Sequence, residues 1–147
     1  MNIRPAQPQD LSALIELCEL HAIYEEADYD RNGKAEALKK HLFSDNPTLF
    51  CVVVEQENEL IGYCSYMKQF STWDAGFYVY MDCLFLKEGT RSQGIGAQLI
   101  AHVKKEARSL GCDLIQWQTP DFNTRAIKFY DREGATRKTK ERCYLQA

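Results

Sequence analysis

Arg91-Ser92-Gln93-Gly94-Ile95-Gly96 is a stretch whose residue types can hold an anion. It joins a hydrophobic, strand-like run from Tyr78 to Leu86 to an amphipathic run from Gly94 to Leu110, which puts a small-residue loop at a helix start. Glycines at 94 and 96 remove Cβ atoms where a phosphate would approach. They leave backbone N–H groups and the positive end of the helix dipole to receive it. A pyrophosphate-bearing cofactor is therefore the first expectation. A dinucleotide fold lacks support, because Leu99 stands where its third Gly would be and Asp113 precedes the next strand rather than ending it. His21, His41 and His102 show no paired spacing with a Ser or Cys nucleophile, so no hydrolase triad is expected. The Cys residues at 18, 51, 64, 83, 112 and 143 contain no Cys-x-x-Cys pair and have no His at ligand spacing, so reduced buried thiols are expected and no metal.

Elements must position that loop. Ile3 to Pro5 reads as a short strand, and Asp10 as the N-cap of a helix whose apolar face carries Leu11, Leu14, Ile15, Leu17 and Cys18, running to about His21. An acidic segment follows, with Glu25, Glu26, Asp28 and Asp30, and then a helix from about Lys34 to Phe43, stopped by Asn46-Pro47. Leu49 to Gln56 and Leu60 to Phe70 read as a β-hairpin turning at Glu57-Asn58-Glu59, and the chain re-enters a strand at Phe77. Leu114 to Thr119 reads as a strand, Asn123 to Glu133 as a helix closed by Gly134, and Thr136 to Gln146 as one or two further strands. The order is that of an α/β chain with a mixed sheet, in which residues 77 to 119 form a parallel strand–helix–strand crossover.

A length of 147 residues with 45% hydrophobic content suits a single domain, 1–147, with a sizeable core. Apolar stretches as short as Leu49 to Val54 support neither a membrane span nor a signal peptide, and the protein reads as cytoplasmic. A net charge of −3 argues against general nucleic-acid binding by electrostatics.

The loop resembles the cofactor signature of the GNAT superfamily of acetyl-CoA-dependent N-acetyltransferases, Arg or Gln, two residues, Gly, one residue, then Gly or Ala, here Arg91-x-x-Gly94-x-Gly96. A second family feature, Asn followed by Phe-Tyr-x-x-x-Gly-Ala, reads Asn123 and then Phe129-Tyr130-Asp131-Arg132-Glu133-Gly134-Ala135. Tyr80-Met81-Asp82-Cys83-Leu84-Phe85-Leu86 is similar to the central strand of polyamine-type acetyltransferases, which often carry Leu-Glu-Asp before an apolar run. This chain departs from that pattern: Asp82 stands at the family's Glu, Cys83 at its Asp, and Ser92 replaces a Gly that commonly follows the Arg.

The resemblance implies a mixed, mostly antiparallel sheet with a parallel crossover, flanked by about four helices, and acetyl-CoA as cofactor. It implies that the amides of Gln93, Gly94, Ile95, Gly96 and Ala97, with Arg91 and Ser92, hold the pyrophosphate. The backbone of Leu84, Phe85 and Leu86 would hold the pantetheine arm and Asn123 would bond to it, unless Asn123 serves as a helix N-cap. An alkylamine of pKa ~10.4 costs about 4.6 kcal/mol to deprotonate at neutral pH, so a proton exit is needed, and Asp82 is the candidate general base. Tyr130 would protonate the departing sulfur, unless it only fills core. Glu25, Glu26 and Asp28 would favour a small cationic acceptor, with Trp73, Tyr80 and Asp82 lining the same cleft, although a solvated loop and sheet packing are the ordinary readings. Other readings keep a protein N-terminus or lysine as acceptor, or a non-catalytic acyl-CoA-binding module. The family also implies a homodimer.

Overall fold

The structure is a computed structural model describing residues 1–147. Five strands form one sheet in the order of the chain: β1 (Asn2–Pro5), β2 (Phe50–Gln56), β3 (Glu59–Ser71), β4 (Gly76–Leu86) and β5 (Ile115–Gln116). The first four pair antiparallel, and β4 with β5 is the one parallel pair. Four α-helices flank the sheet: α1 (Leu11–Tyr24), α2 (Lys34–Leu42), α3 (Ile95–Ser109) and α4 (Thr124–Arg132). The expected mixed sheet with a parallel crossover is therefore present. The β2–β3 turn is tight because Glu57 and Asn58 both take positive φ, 52° and 65°, which matches the twist of the strands they join.

Each face of the sheet buries its own apolar cluster. One contains Val52, Val54, Cys64, Val79 and Met81 under Ile95, Leu99, Val103 and Tyr130 of α3 and α4. The other contains Cys51, Val53, Tyr63 and Phe85 under Leu14 and Leu17 of α1 and Leu42 of α2. The spacing of Ile95, Leu99, Val103 and Ala107 puts all four on one helical face, and all four are buried.

Three expectations need correction. Asp10 stands before α1, but its side chain makes no cap; its carboxylate instead receives Arg4 Nη1 and Nη2 at 2.7 and 3.0 Å and the Gln7 amide at 2.8 Å. The strand expected over Leu114 to Thr119 is only Ile115–Gln116, because Trp117 leaves the sheet to pack on Tyr130, ring centroids 5.1 Å apart. No strand forms in Thr136 to Gln146: all of these residues are exposed, the charged run 137–142 has no apolar alternation to bury, and Arg137 folds back on Asp131 of α4 at 2.8 Å.

Candidate functional site

The loop before α3 is held open by its side chains while its amides stay free. Arg91 Nε donates to the Leu86 carbonyl at 2.8 Å, and its guanidinium lies over the Tyr24 ring at 4.2 Å. Ser92 has φ 67°, a left-handed conformation in which glycine carries no Cβ penalty, and its hydroxyl accepts from Arg125 Nη2 at 3.0 Å. Gly94, with φ 77°, starts the helix, and the first bond of α3 runs from Gln98 N–H to its carbonyl. The N–H groups of Gln93, Gly94, Ile95, Gly96 and Ala97 donate to no acceptor in the protein. They form a row of unpaired donors at the positive end of a fifteen-residue helix. The two glycines have different reasons. A Cβ on Gly94 would meet open space, whereas one on Gly96 would lie 3.0 Å from the Phe129 ring, so Gly96 serves the contact of α3 with α4.

A slot opens beside this row. β5 pairs with β4 only at Val79 and Tyr80, so from Met81 to Leu86 one edge of β4 has no strand beside it. The pairing of β3 with β4 jumps from Ser65↔Cys83 to Tyr66↔Met81, leaving Asp82 as a bulge residue. The bulge reverses the alternation of side chains. Before it, Val79 and Met81 face α3; after it, Leu84 and Leu86 face α3 while Cys83 and Phe85 face α1. Asp82 is exposed, and the Cys83 thiol donates to its Oδ2 at 3.7 Å. Tyr80 is half-buried, and burial first, then the charge of Asp82, raises its pKa while Arg142 of the tail acts against them.

Tyr130 belongs to the apolar cluster on the α3 face, packed on Trp117 and Phe129. Its ring is 7% exposed, and its hydroxyl makes no hydrogen bond within the protein. No fully buried side-chain oxygen or nitrogen lacks a partner, so that oxygen is open to solvent. Burial foremost, then the charges of Cys64, Glu25 and Cys83, pushes the phenol well above its ordinary range. It therefore keeps its proton at any working pH and is suited to give it to a leaving thiolate. Asn123 is a helix cap: Oδ1 accepts from the Ala126 amide at 3.4 Å and from the Tyr24 hydroxyl at 2.9 Å, while Nδ2 donates to Thr119 Oγ1 at 3.3 Å.

Two features were not read from the sequence. α1 runs to Tyr24, beyond the expected end near His21, and the added turn carries Tyr24 between Arg91 and Asn123. The same turn assembles a titratable cluster. His21 Nε2 lies 3.0 Å from Glu25 Oε1 and Nδ1 lies 3.0 Å from the Tyr63 hydroxyl, with the ring stacked on Phe85 at 5.1 Å. Burial alone would lower the His21 pKa, but the influence of Cys83 and Glu25 outweighs it and raises the imidazole to about 9. Only the i, i+4 relation of His21 to Glu25 was visible in the chain. Glu25 is in the cluster, whereas Glu26 and Asp28 are exposed beside it. Trp73, 96% exposed, stands at the tip of the β3–β4 hairpin, apart from Tyr80 and Asp82. A cavity of ≈ 200 Å³ lined by Leu42, Phe50, Tyr66, His102 and Glu106 lies on the β2 side and contains none of these groups.

The structure thus sets an open-edged central strand and a row of free amides at a helix start in one chain. The sequence matches the Acetyltransferase (GNAT) family over residues 14–135, and the chain belongs to that family as an acetyl-CoA-dependent acyltransferase. It is 30% identical over 141 residues to the thialysine N-epsilon-acetyltransferase of Sus scrofa, covering 90% of this chain and 82% of that one. It is 30% identical over 136 residues to the aminoalkylphosphonate N-acetyltransferase of Salmonella typhimurium (strain LT2), covering 90% and 83%. An aminoglycoside acetyltransferase from an uncultured soil metagenomic sample superposes with a TM-score of 0.83 at 20% identity, covering 99% of this chain and 96% of that one, a likeness of fold. No helix is long and apolar enough to cross a membrane.

Proposed function

We propose that residues 1–147 act as one cytoplasmic N-acetyltransferase domain, moving acetyl from acetyl-CoA directly to the primary amine of a small cationic acceptor in a ternary complex. The observation that carries this reading is the row of unpaired amides from Gln93 to Ala97 beside the open edge of β4 and the solvent-facing Tyr130 hydroxyl. Those amides fit a pyrophosphate, with the Arg91 guanidinium and the Ser92 hydroxyl at their flank. The free edge at Leu84, Phe85 and Leu86 fits the amide-bearing pantetheine arm, since peptide groups without a strand partner need another. Asn123 contributes by fixing the start of α4 rather than by a free amide.

Acetyl-CoA supplies the thioester. Asp82, at the bulge, takes the proton of the incoming ammonium directly or through water, and Tyr130 protonates the departing sulfur. A backbone N–H near the Cys83 to Leu86 end of β4 is placed to receive the developing oxyanion. Glu25, Glu26 and Asp28, at and beyond the end of α1, favour a cationic acceptor, as do Asp82 and the Tyr80 ring on β4. The relative that acts on the Nε of thialysine supports a small amine. A homodimer acting on free small molecules, rather than on nucleic acid or membranes, completes the reading; the exposed Tyr144 and Leu145 of the tail support a partner there.

Release of free thiol from acetyl-CoA across a panel of diamines, polyamines, amino acids and peptides tests this. Diamines or polyamines are expected to give the fastest release, and Tyr130→Phe to lower it about 100-fold with CoA affinity kept. Release with peptides alone would replace the small acceptor. CoA binding without release for any amine would leave a binding module.

A further inference from the structure

The later turns of α3 border a second concavity, which the transfer described above does not use. The cavity of ≈ 200 Å³ beside β2 reaches His102 and Glu106 of α3, roughly 10 and 16 Å along the helix from Ile95 at ~1.5 Å per residue. We infer that it is a binding site for a small hydrophobic ammonium, an aryl- or alkylamine whose apolar body fills the cavity and whose charged nitrogen meets Glu106 and the Tyr66 hydroxyl. The site shares no residue with the acetyl-CoA slot.

Strand register and helix spacing build its walls. Phe50 and Tyr66 stand opposite each other on β2 and β3, so their rings stack, with centroids 5.6 Å apart and planes at 19°. Leu42 and Phe43 at the end of α2 add to the apolar lining. His102 and Glu106 are one turn apart on α3, next to the buried Val103 and Ala107, and contribute half-buried polar side chains.

The polar groups of this lining have no partner within the protein. Tyr66 is 3% exposed, yet its hydroxyl makes no hydrogen bond there, whereas those of Tyr24, Tyr63 and Tyr78 do. No fully enclosed side-chain oxygen lacks a partner, so the Tyr66 oxygen is open to the cavity that its residue lines. His21 and His41 are each hydrogen-bonded and His102 is not. Glu106 takes part in none of the ion pairs of the fold. Burial foremost, then the charge of Glu106, raises the Tyr66 pKa, so the phenol keeps its proton and stands within reach of that carboxylate's field.

The chemistry of the lining selects the occupant. A buried hydroxyl without a partner is costly until something bonds to it. Water satisfies the polar end and leaves the aromatic end without contacts, while an apolar cavity of about 150 Å³ already admits benzene. Glu106 repels an anion, and a neutral body leaves its charge unpaired. An ammonium pairs with the carboxylate, donates to the Tyr66 oxygen and lies beside aromatic rings, whose faces attract a cation.

Titration of the full chain with phenethylamine tests the proposal, followed by NMR through the backbone amides of Phe50, Tyr66, His102 and Glu106, so that binding in the acceptor cleft is not mistaken for binding here. These amides are expected to shift together along one saturating curve. Glu106→Gln should weaken that curve about tenfold and Tyr66→Phe about fivefold, whereas Asp82→Asn should leave it unchanged. Tyr66→Phe keeps the ring that stacks on Phe50, and its urea midpoint verifies the fold. Thiol release from acetyl-CoA by Glu106→Gln should equal that of the wild type, which separates this site from the transfer reaction. No saturable shift at these amides up to about 10 mM would overturn the site. Phenethyl alcohol binding as tightly as the amine would overturn the ammonium, and a curve lost in Asp82→Asn but kept in Glu106→Gln would move the amine to the β4 slot.

Discussion

The two faces of the sheet solve different problems. Under α3 and α4 the face is closed and apolar, with the rings of Tyr66 and Tyr130 buried in it. Under α1 the face carries His21 bonded to Glu25 and Tyr63, and at the bulge the Cys83 thiol bonded to Asp82. A closed apolar face fixes the helix whose amides bind an anion, since any play there would move five donors at once. A titratable face can shuttle protons, at the expense of burying polar groups that each need a partner. One extra residue at Asp82 divides them, because it decides which side of the sheet every later β4 side chain joins.

That contrast can be broken at its hinge. A Cβ at Gly62, opposite Leu86, would fall 2.4 Å from Leu86 Cδ2 and 2.7 Å from the Phe85 carbonyl oxygen, and a backbone atom has little room to give. Gly62→Ala is therefore expected to cost about 3 kcal/mol or more and to spoil both faces together. Urea unfolding checks the stability, and equal loss of CoA binding and of turnover checks the joint effect.

The titratable face alone can be read by pH. The folded His21 pKa of about 9 exceeds its unfolded value of 6.5, so its stabilisation is complete below about pH 6.5 and is lost as pH rises through 9. A shift of that size corresponds to roughly 3 kcal/mol. The urea midpoint is expected to fall between those limits, and Glu25→Gln to flatten the fall. A wild-type profile without slope there would mean that the cluster does not hold an imidazolium.

The smallest effect concerns the one side chain that joins both faces. Tyr24→Phe removes the bond to Asn123 Oδ1 but keeps the ring under Arg91. A loss of about 1 kcal/mol in stability is expected, with a few-fold weaker CoA binding read by calorimetry. Tyr24→Leu, which also removes the aromatic face, should weaken CoA binding further.

The fold was legible where local chemistry dictates local shape. The Glu57-Asn58 hairpin, the four-residue recurrence in α3 and the Asn123 cap all follow from residue type and spacing. The loop of free amides was legible for a related reason, since an amide row at a helix start is a backbone property and needs only small residues in sequence. Even there one cause was misread, because Gly96 is set by the Phe129 ring of another helix. The tail was misread as strand because β-propensity does not supply a partner edge.

The sequence by itself determined which segment becomes the helix start with free amides and which strand leads into it. Those depend on contacts between near neighbours in the chain. Only the tertiary structure decided that His21 meets Tyr63, that Tyr24 spans from Arg91 to Asn123, and that Asp82 stands in a bulge. Each of those depends on strand register and helix packing between residues remote in sequence, and a side chain's type says nothing of who will lie across from it.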